Sequence, residues 1–284
     1  MMTPIPADPS PSPLALTPRQ RADFAATLMA AADAAREAIR PHFRTTGPVE
    51  NKAGDGRFDP VTEADRAAEQ AIRAVISSRH PDHSIIGEEF GTAGGRGDFT
   101  WVIDPIDGTR AFIAGAATWG TLIGMGTGTR PVLGLMDQAH VGERFLGLAG
   151  VSLSQGPGGT RVLSTSAVTQ VGQAILAATA PDMFTAAEFA AFSRLSQTAR
   201  LTRYGLDCTA YCLLAAGHVD LVVESDLKIY DIYPLIPIIE GAGGVVTDWQ
   251  GARLTGGGHV IAAATPALHA EALAILSAVG GRAV

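Results

Sequence analysis

Phe24, Leu28, Ala31, Ala35 and Ile39 recur at helical spacing, which predicts a helix with one buried face. Thr17-Pro18-Arg19-Gln20 carries its start signal: Thr at the N-cap, Pro at the first helical position and Gln three residues after the cap. Pro41 follows the last periodic residue and closes the helix. The same logic predicts a second helix. Thr62 and Asp65 read as a capping pair, Ala68, Ala71, Ile72, Val75 and Ile76 supply the apolar face, and Pro81 ends it. Residues 44–60 between the two are polar and glycine-containing, and read as a loop.

From residue 84 the period changes. Ser84-Ile85-Ile86 predicts a short strand running into Gly87-Glu88-Glu89, and Trp101-Val102-Ile103-Asp104 a buried strand that breaks at Pro105. Apolar, glycine-punctuated runs at 118–125, 131–137 and 143–149 predict an antiparallel meander. Residues 154–160 read as a loop and a domain seam. Beyond it, strands at 174–179, 219–224, 243–247 and 259–264 alternate with helices at 185–197, 207–216, 232–241 and 266–278. Such alternation is the pattern of a layered α/β unit. The predicted organisation is a proline-rich flexible tail (1–16), an N-terminal α+β half (17–153) and a C-terminal α/β half (154–284).

Composition narrows the function. The 284 residues carry 21 Lys+Arg and 28 Asp+Glu, a net charge of −7, which disfavours generic binding to nucleic acid or anionic membranes. No apolar run approaches the ~20 residues that span a bilayer. The N-terminus lacks the basic and apolar regions of a secretory signal. The two cysteines, Cys208 and Cys212, are too few for a disulfide framework and wrongly spaced for a CxxC redox site, so a reducing cytoplasm is expected.

Several chemistries lack their motif. There is no GxSxG, no GxxxxGK[ST] and no HExxH, and neither cysteine is followed six residues later by the Arg of a thiol-phosphatase loop. Carboxylates remain. In Trp101-Val102-Ile103-Asp104-Pro105-Ile106-Asp107-Gly108-Thr109, two Asp three apart stand at a strand's end and can converge on one cation, with the Ile106 carbonyl between them. Such oxygens suit a hard ion, Mg²⁺ or Mn²⁺. The N–H groups of Gly108 and Thr109 would open a helical turn, a place where anions bind. The plain alternative is a turn with two Asp caps. Three other stretches also have plain readings: Gly87-Glu88-Glu89 as a solvated loop, Asp231 as a helix N-cap, and Asp59-Pro60-Val61-Thr62 with Asp65 as a capping box.

Taken in order, VTEAD (61–65), GEE (87–89), WVIDPIDGTR (101–110) and YD (230–231) with EGAGG downstream resemble the inositol monophosphatase-like family of Mg²⁺-dependent, lithium-sensitive phosphatases, from about residue 18 to 280. The resemblance implies a layered αβαβα sandwich of two closely associated halves, with the metal site at their seam. It implies that Glu88, Asp104, the Ile106 carbonyl, Asp107 and Asp231 ligate two or three Mg²⁺. It further implies that Glu88 and Thr109 orient the attacking water, that Asp65 assists a looser third metal, and that Gly108 and Thr109 hold the phosphate. Lys52 stands where the family has a basic residue, behind a longer spacer. A homodimer acting on a small-molecule phosphate ester is the family's common form.

Three further stretches are most similar to the histidinol-phosphatase branch: residues 108–113 with 119–124, Arg203-Tyr204-Gly205 with Asp207-Cys208, and 217–224. Leu206 stands where that branch has a glycine. Asp207 and Glu224 would then pair with the ammonium and imidazole of histidinol phosphate, an ester of histidine biosynthesis. Read plainly, Asp207 is a helix N-cap and Glu224 the polar end of a strand. An inositol ring would also satisfy Glu224, so inositol monophosphate or another polyol or nucleotide phosphate is the alternative substrate. A non-catalytic binding relative is the alternative outside enzymes.

Overall fold

A computed structural model describes residues 16–45, 48–51 and 60–277; the expected tail (1–16, save Leu16) and Lys52 lie outside the described residues. Helix α1 (Pro18–Ile39) opens as expected: Thr17 Oγ1 accepts from Gln20 N–H at 3.2 Å, and Thr17 N–H donates to Gln20 Oε1 at 3.0 Å. A two-strand ribbon, β1 (Glu50–Asn51) and β2 (Pro60–Val61), precedes α2 (Glu63–Arg79).

The first large sheet has eight strands. β3 (Ser84–Gly87) and β4 (Gly91–Ala93) form one edge, and β5 (Thr100–Asp107) runs parallel to β3. After the short helix α3 (Thr109–Ala114), the strands β6 (Gly120–Thr127), β7 (Arg130–Gln138), β8 (Glu143–Leu148), β9 (Ser152–Gly156) and β10 (Gly159–Val162) continue antiparallel. The meander is as expected. Residues 154–160, expected as a loop, are instead the β9–β10 hairpin that extends it; only Pro157 and Gly158 turn the chain. Polar residues on an edge hairpin carry no period-2 apolar signal, which is why the sequence hid it.

The second sheet is mixed, in the order β12-β11-β13-β15-β14. Its elements along the chain are β11 (Ile175–Ala178), α4 (Ala186–Thr198), β12 (Leu201–Tyr204), α5 (Thr209–Ala215), β13 (Leu221–Leu227), α6 (Ile229–Ile232), α7 (Ile236–Gly241), β14 (Val245–Thr247), β15 (Gly258–Ala263) and α8 (Pro266–Ser277). The single helix expected over 232–241 is split into α6 and α7, because Pro234 and Pro237 deny backbone donors to the turns before them.

Five layers result. α1 and α2 cover one face of the first sheet around Leu28, Ile72, Trp101 and Ile123. α5 and α7 lie between the sheets with Tyr211, Leu235 and Ile238. α4 and α8 cover the outer face of the second sheet around Phe192, Leu195 and Leu268. Burying each such large apolar side chain favours folding by roughly 1.5–3 kcal/mol. A row of cross-strand glycines brings the middle layer close: Gly124, Gly134 and Gly147 are register neighbours on β6, β7 and β8. A Cβ on Gly134 or Gly147 would collide with the backbone of Pro234 or Pro237. The segment that follows Asp231 is thereby seated directly on the sheet that ends in Asp104 and Asp107.

Candidate active site

The corner begins with proline chemistry. β5 does not break at Pro105 but runs through it, with Asp104 paired to Leu122 and Asp107 to Gly120. Three steps on β5 oppose two on β6, so the strand bulges where proline has no N–H to give. Asp104 Oδ1 accepts the Ile106 N–H at 3.0 Å, and the Ile106 carbonyl accepts from Thr109 Oγ1 at 3.1 Å. The turn reading and the cluster reading therefore hold together. Gly108 is left-handed at φ 83°, and a Cβ there would stand 3.0 Å from Asp207 Cβ and 3.3 Å from Trp119 Cα.

The second half supplies the rest. Asp231 sits in the first turn of α6, where its Oδ2 accepts the Lys228 N–H at 2.6 Å. One oxygen from each of Asp104, Asp107 and Asp231 lies within 4.8 Å of the others. Cys208 N–H, at the start of α5, donates to Asp107 Oδ2 at 2.8 Å, so each half grips a carboxylate of the corner. Glu88 directly follows β3, its N–H bonded to Ile103 O at 3.3 Å, and its carboxyl interacts with that of Asp104.

Crowding shows in the titration. Burial pushes Asp104 well above the usual carboxylate range, and the charges of Glu88, Asp107 and Asp231 push it the same way. Burial, then Asp231 and Asp207, raises Asp107. Burial above all pushes Asp231 up to about 7, against the pull of the Lys228 N–H. Among the described residues no ion pair reaches these three acids. Like charges this close stay ionised together only with a cation among them, and an all-oxygen set of carboxylates plus the Ile106 carbonyl fits Mg²⁺ or Mn²⁺.

A cleft of about 450 Å³ opens beside the corner, lined among others by Glu88, Asp107, Gly108, Thr109, Asp207, Glu224 and Asp231. Asp104 and Ile106 are buried behind it. Glu224 is 2% exposed; its Oε1 accepts from Thr179 N–H (2.9 Å) and Thr179 Oγ1 (2.5 Å), and its Oε2 from Tyr211 Oη (2.8 Å). Asp207 does not cap α5. It sits at φ 48° and accepts from Thr118 Oγ1 at 2.9 Å through Oδ2. Burial raises both acids.

Asp65 is the predicted residue that the fold keeps apart from the three-acid cluster and from the cleft lining. Its Oδ2 takes both Thr62 donors, at 2.8 Å (N–H) and 2.5 Å (Oγ1), as the capping reading expects. Its Oδ1 is buried without a partner among the described residues, and burial pushes the group up to about 6. Sequence reasoning missed Thr179, Tyr211, Arg110 and Lys228 in the cleft wall. Only their tertiary neighbours mark them; Tyr211, for instance, is one more apolar-face residue of a predicted helix.

Comparison with known proteins agrees with this geometry. Residues 20–280 match the inositol monophosphatase family. The chain is similar to a chloroplastic bifunctional phosphatase, IMPL2, of Arabidopsis thaliana (43% identity; 86% of this chain, 69% of that one). It is also similar to a histidinol-phosphatase of Streptomyces coelicolor (34%; 87% and 94%). A solved inositol monophosphatase from Zymomonas mobilis superposes with a TM-score of 0.80 at 40% identity, covering 90% of this chain and 98% of that one. With the αβαβα fold, the acidic corner and nearly the whole chain in agreement, this protein is a phosphatase of the inositol monophosphatase family.

Proposed function

We propose that the chain is a histidinol-phosphatase, hydrolysing L-histidinol phosphate to L-histidinol and inorganic phosphate. The observation that carries this reading is the pair of acids that line the cleft beside the acidic corner. Asp207 and Glu224 line the same cleft as Asp231, and both come from the C-terminal half. Two acids suit an alcohol portion that bears an ammonium and an imidazole, whereas a polyol needs neither charge. Three relatives with histidinol-phosphatase names, at 34%, 32% and 31% identity, support it.

In this reading Glu88, Asp104, Asp107, Asp231 and the Ile106 carbonyl hold two or three Mg²⁺. Such ions, when bound, neutralise phosphoryl charge and lower the pKa of water. The chain's own groups do the positioning. Thr109 Oγ1 is committed as donor to the Ile106 carbonyl, which leaves its lone pairs to accept a hydrogen bond from the attacking water and so orient it. Glu88, on the cleft wall, helps to orient the same water. The N–H groups of Gly108 and Thr109 orient the phosphate. Asp65 keeps one buried oxygen without a protein partner among the described residues, the atom that would assist a third, looser Mg²⁺. No nucleophile motif calls for a phosphoenzyme, so the attack is direct.

The cytoplasmic setting and the homodimer belong to this proposal. Both cysteines are free and buried, as a reducing compartment allows, and light scattering reads the dimer directly. Among the described residues no helix is long and apolar enough to cross a membrane. The deciding experiment compares kcat/KM on L-histidinol phosphate and inositol 1-phosphate, with Mg²⁺ and with chelator. A preference for the inositol ester would favour the second reading, inositol monophosphatase, which the 40% identical Zymomonas mobilis structure supports.

A further inference from the structure

Asp207 poses a mechanical problem. It holds a left-handed backbone at φ 48°, a conformation that residues other than glycine seldom adopt, and its side chain lies against Gly108. Something must hold it there. Thr118, in the strap between α3 and β6, donates from Oγ1 to Asp207 Oδ2 at 2.9 Å. The Thr118 carbonyl accepts from Thr209 Oγ1 at 2.7 Å. Thr209 Oγ1 in turn accepts from Gln138 Nε2 at 2.8 Å, and the same Nε2 donates to the Ala117 carbonyl at 3.0 Å. The Ala117 carbonyl can only accept, which fixes the Gln138 amide orientation, and the Thr118 carbonyl can only accept, which makes Thr209 Oγ1 its donor. Gln138 and Thr209 are buried, and none of Gln138, Thr209 and Thr118 lines the cleft. The network ties the end of β7 in one half to the start of α5 in the other, one residue from the Cys208 N–H that holds Asp107.

We propose that Thr118, clamped by Gln138 through Thr209, is a positioning residue that sets substrate affinity by aiming the Asp207 carboxylate into the cleft. The proposal rests on the reading above, in which Asp207 meets the cationic side of the substrate. Replacing the hydroxyl with a methyl removes the donor at nearly constant volume. A loosened Asp207 weakens binding of the alcohol portion and leaves the metal corner in place. A merely structural role would lower the melting temperature without separating KM from kcat.

The test is a double-mutant cycle in the full chain with Mg²⁺, using Thr118→Val, Asp207→Asn and the double variant, with Thr118→Ser as the rescue. For L-histidinol phosphate, Thr118→Val is expected to raise KM at least fivefold with kcat changed less than twofold. Thr118→Ser should return KM to within twofold of the unmodified protein. The double variant should be no worse than Asp207→Asn alone. A folded Thr118→Val protein with KM changed less than twofold, or effects that multiply fully in the double variant, would overturn the proposal. If the unmodified protein prefers inositol 1-phosphate, the substrate reading fails by itself. The cycle is then run on that ester, where coupling between Thr118 and Asp207 still upholds the positioning role and its lack still defeats it.

Discussion

Two buried charge clusters in this protein are built on opposite principles. On the α1 side of the first sheet, Asp137 is fully buried and accepts from Arg36 (Nε 3.1 Å, Nη2 2.6 Å) and from Arg144 Nε (2.8 Å), while Arg144 also reaches Asp33 at 2.8 Å. Each buried charge there has a partner with matched geometry. At the seam, Asp104, Asp107 and Asp231 converge with Glu88 beside them, and no arginine or lysine forms an ion pair with the three among the described residues. Burial of charge is thus no signature of function. The informative feature is acidic groups left uncompensated by the protein's own cations, because such groups concentrate at functional sites.

The contrast is broken most severely at the unpaired cluster. Asp104→Asn and Asp231→Asn are each expected to cut kcat at least 10³-fold, about 4 kcal/mol of barrier, with the fold intact by circular dichroism. Near-normal phosphate release from both purified variants would end the ligand assignment. At the paired cluster the sign of the outcome reverses. Asp137→Ala takes from Arg36 and Arg144 the buried carboxylate they share and should cost about 3–5 kcal/mol of stability in a denaturant titration, with kcat per folded molecule little changed.

Cation dependence sharpens the difference further. Mg²⁺ at 100 times its dissociation constant should stabilise the protein by about 2.7 kcal/mol, read as a rise in melting temperature. Asp104→Asn should lose most of that rise, and Asp137→Ala should keep it. Equal Mg²⁺ responses in the two variants would erase the distinction between the clusters.

The smallest effect is a control in neither cluster. Trp101 Nε1–H donates to His83 Nδ1 at 3.0 Å, and His83 stacks on His80 at 4.7 Å. Burial, and for His83 the His80 neighbour, holds both below the ordinary histidine value. A base with a depressed folded pKa stabilises the fold above its unfolded value, about 6.5, and loses that contribution as pH falls. With Mg²⁺ held saturating, melting temperature should therefore fall more steeply from pH 7 to 5 in the unmodified protein than in His83→Gln. An identical slope in both proteins would remove the pair from the acid response.

The legibility of the site follows the same division. Glu88, Asp104, Asp107 and Asp231 were readable because each sits in a short, ordered motif whose residue types are unusual together. Asp65 was read with them, yet the fold gives it the Thr62 capping role and leaves only one oxygen for anything else. Thr118, Gln138 and Thr209 carried no sequence signal, since each is an ordinary polar residue until a chain segment some 70–90 residues away meets it.

Local rules alone determined α1, α2 and the meander, because capping residues and apolar periods act within a few residues and need no partner. They misjudged Pro105, Pro234 with Pro237, and the 154–160 hairpin, where the outcome depends on what lies across the ladder or beneath the helix. Only the tertiary structure decided that Asp231, from the far half of the chain, shares a space under 5 Å wide with Asp104 and Asp107. That convergence comes from packing the 233–238 segment onto a glycine row of the first sheet. No local propensity encodes such a meeting, because its free energy comes from burying surfaces of two halves that the chain writes far apart.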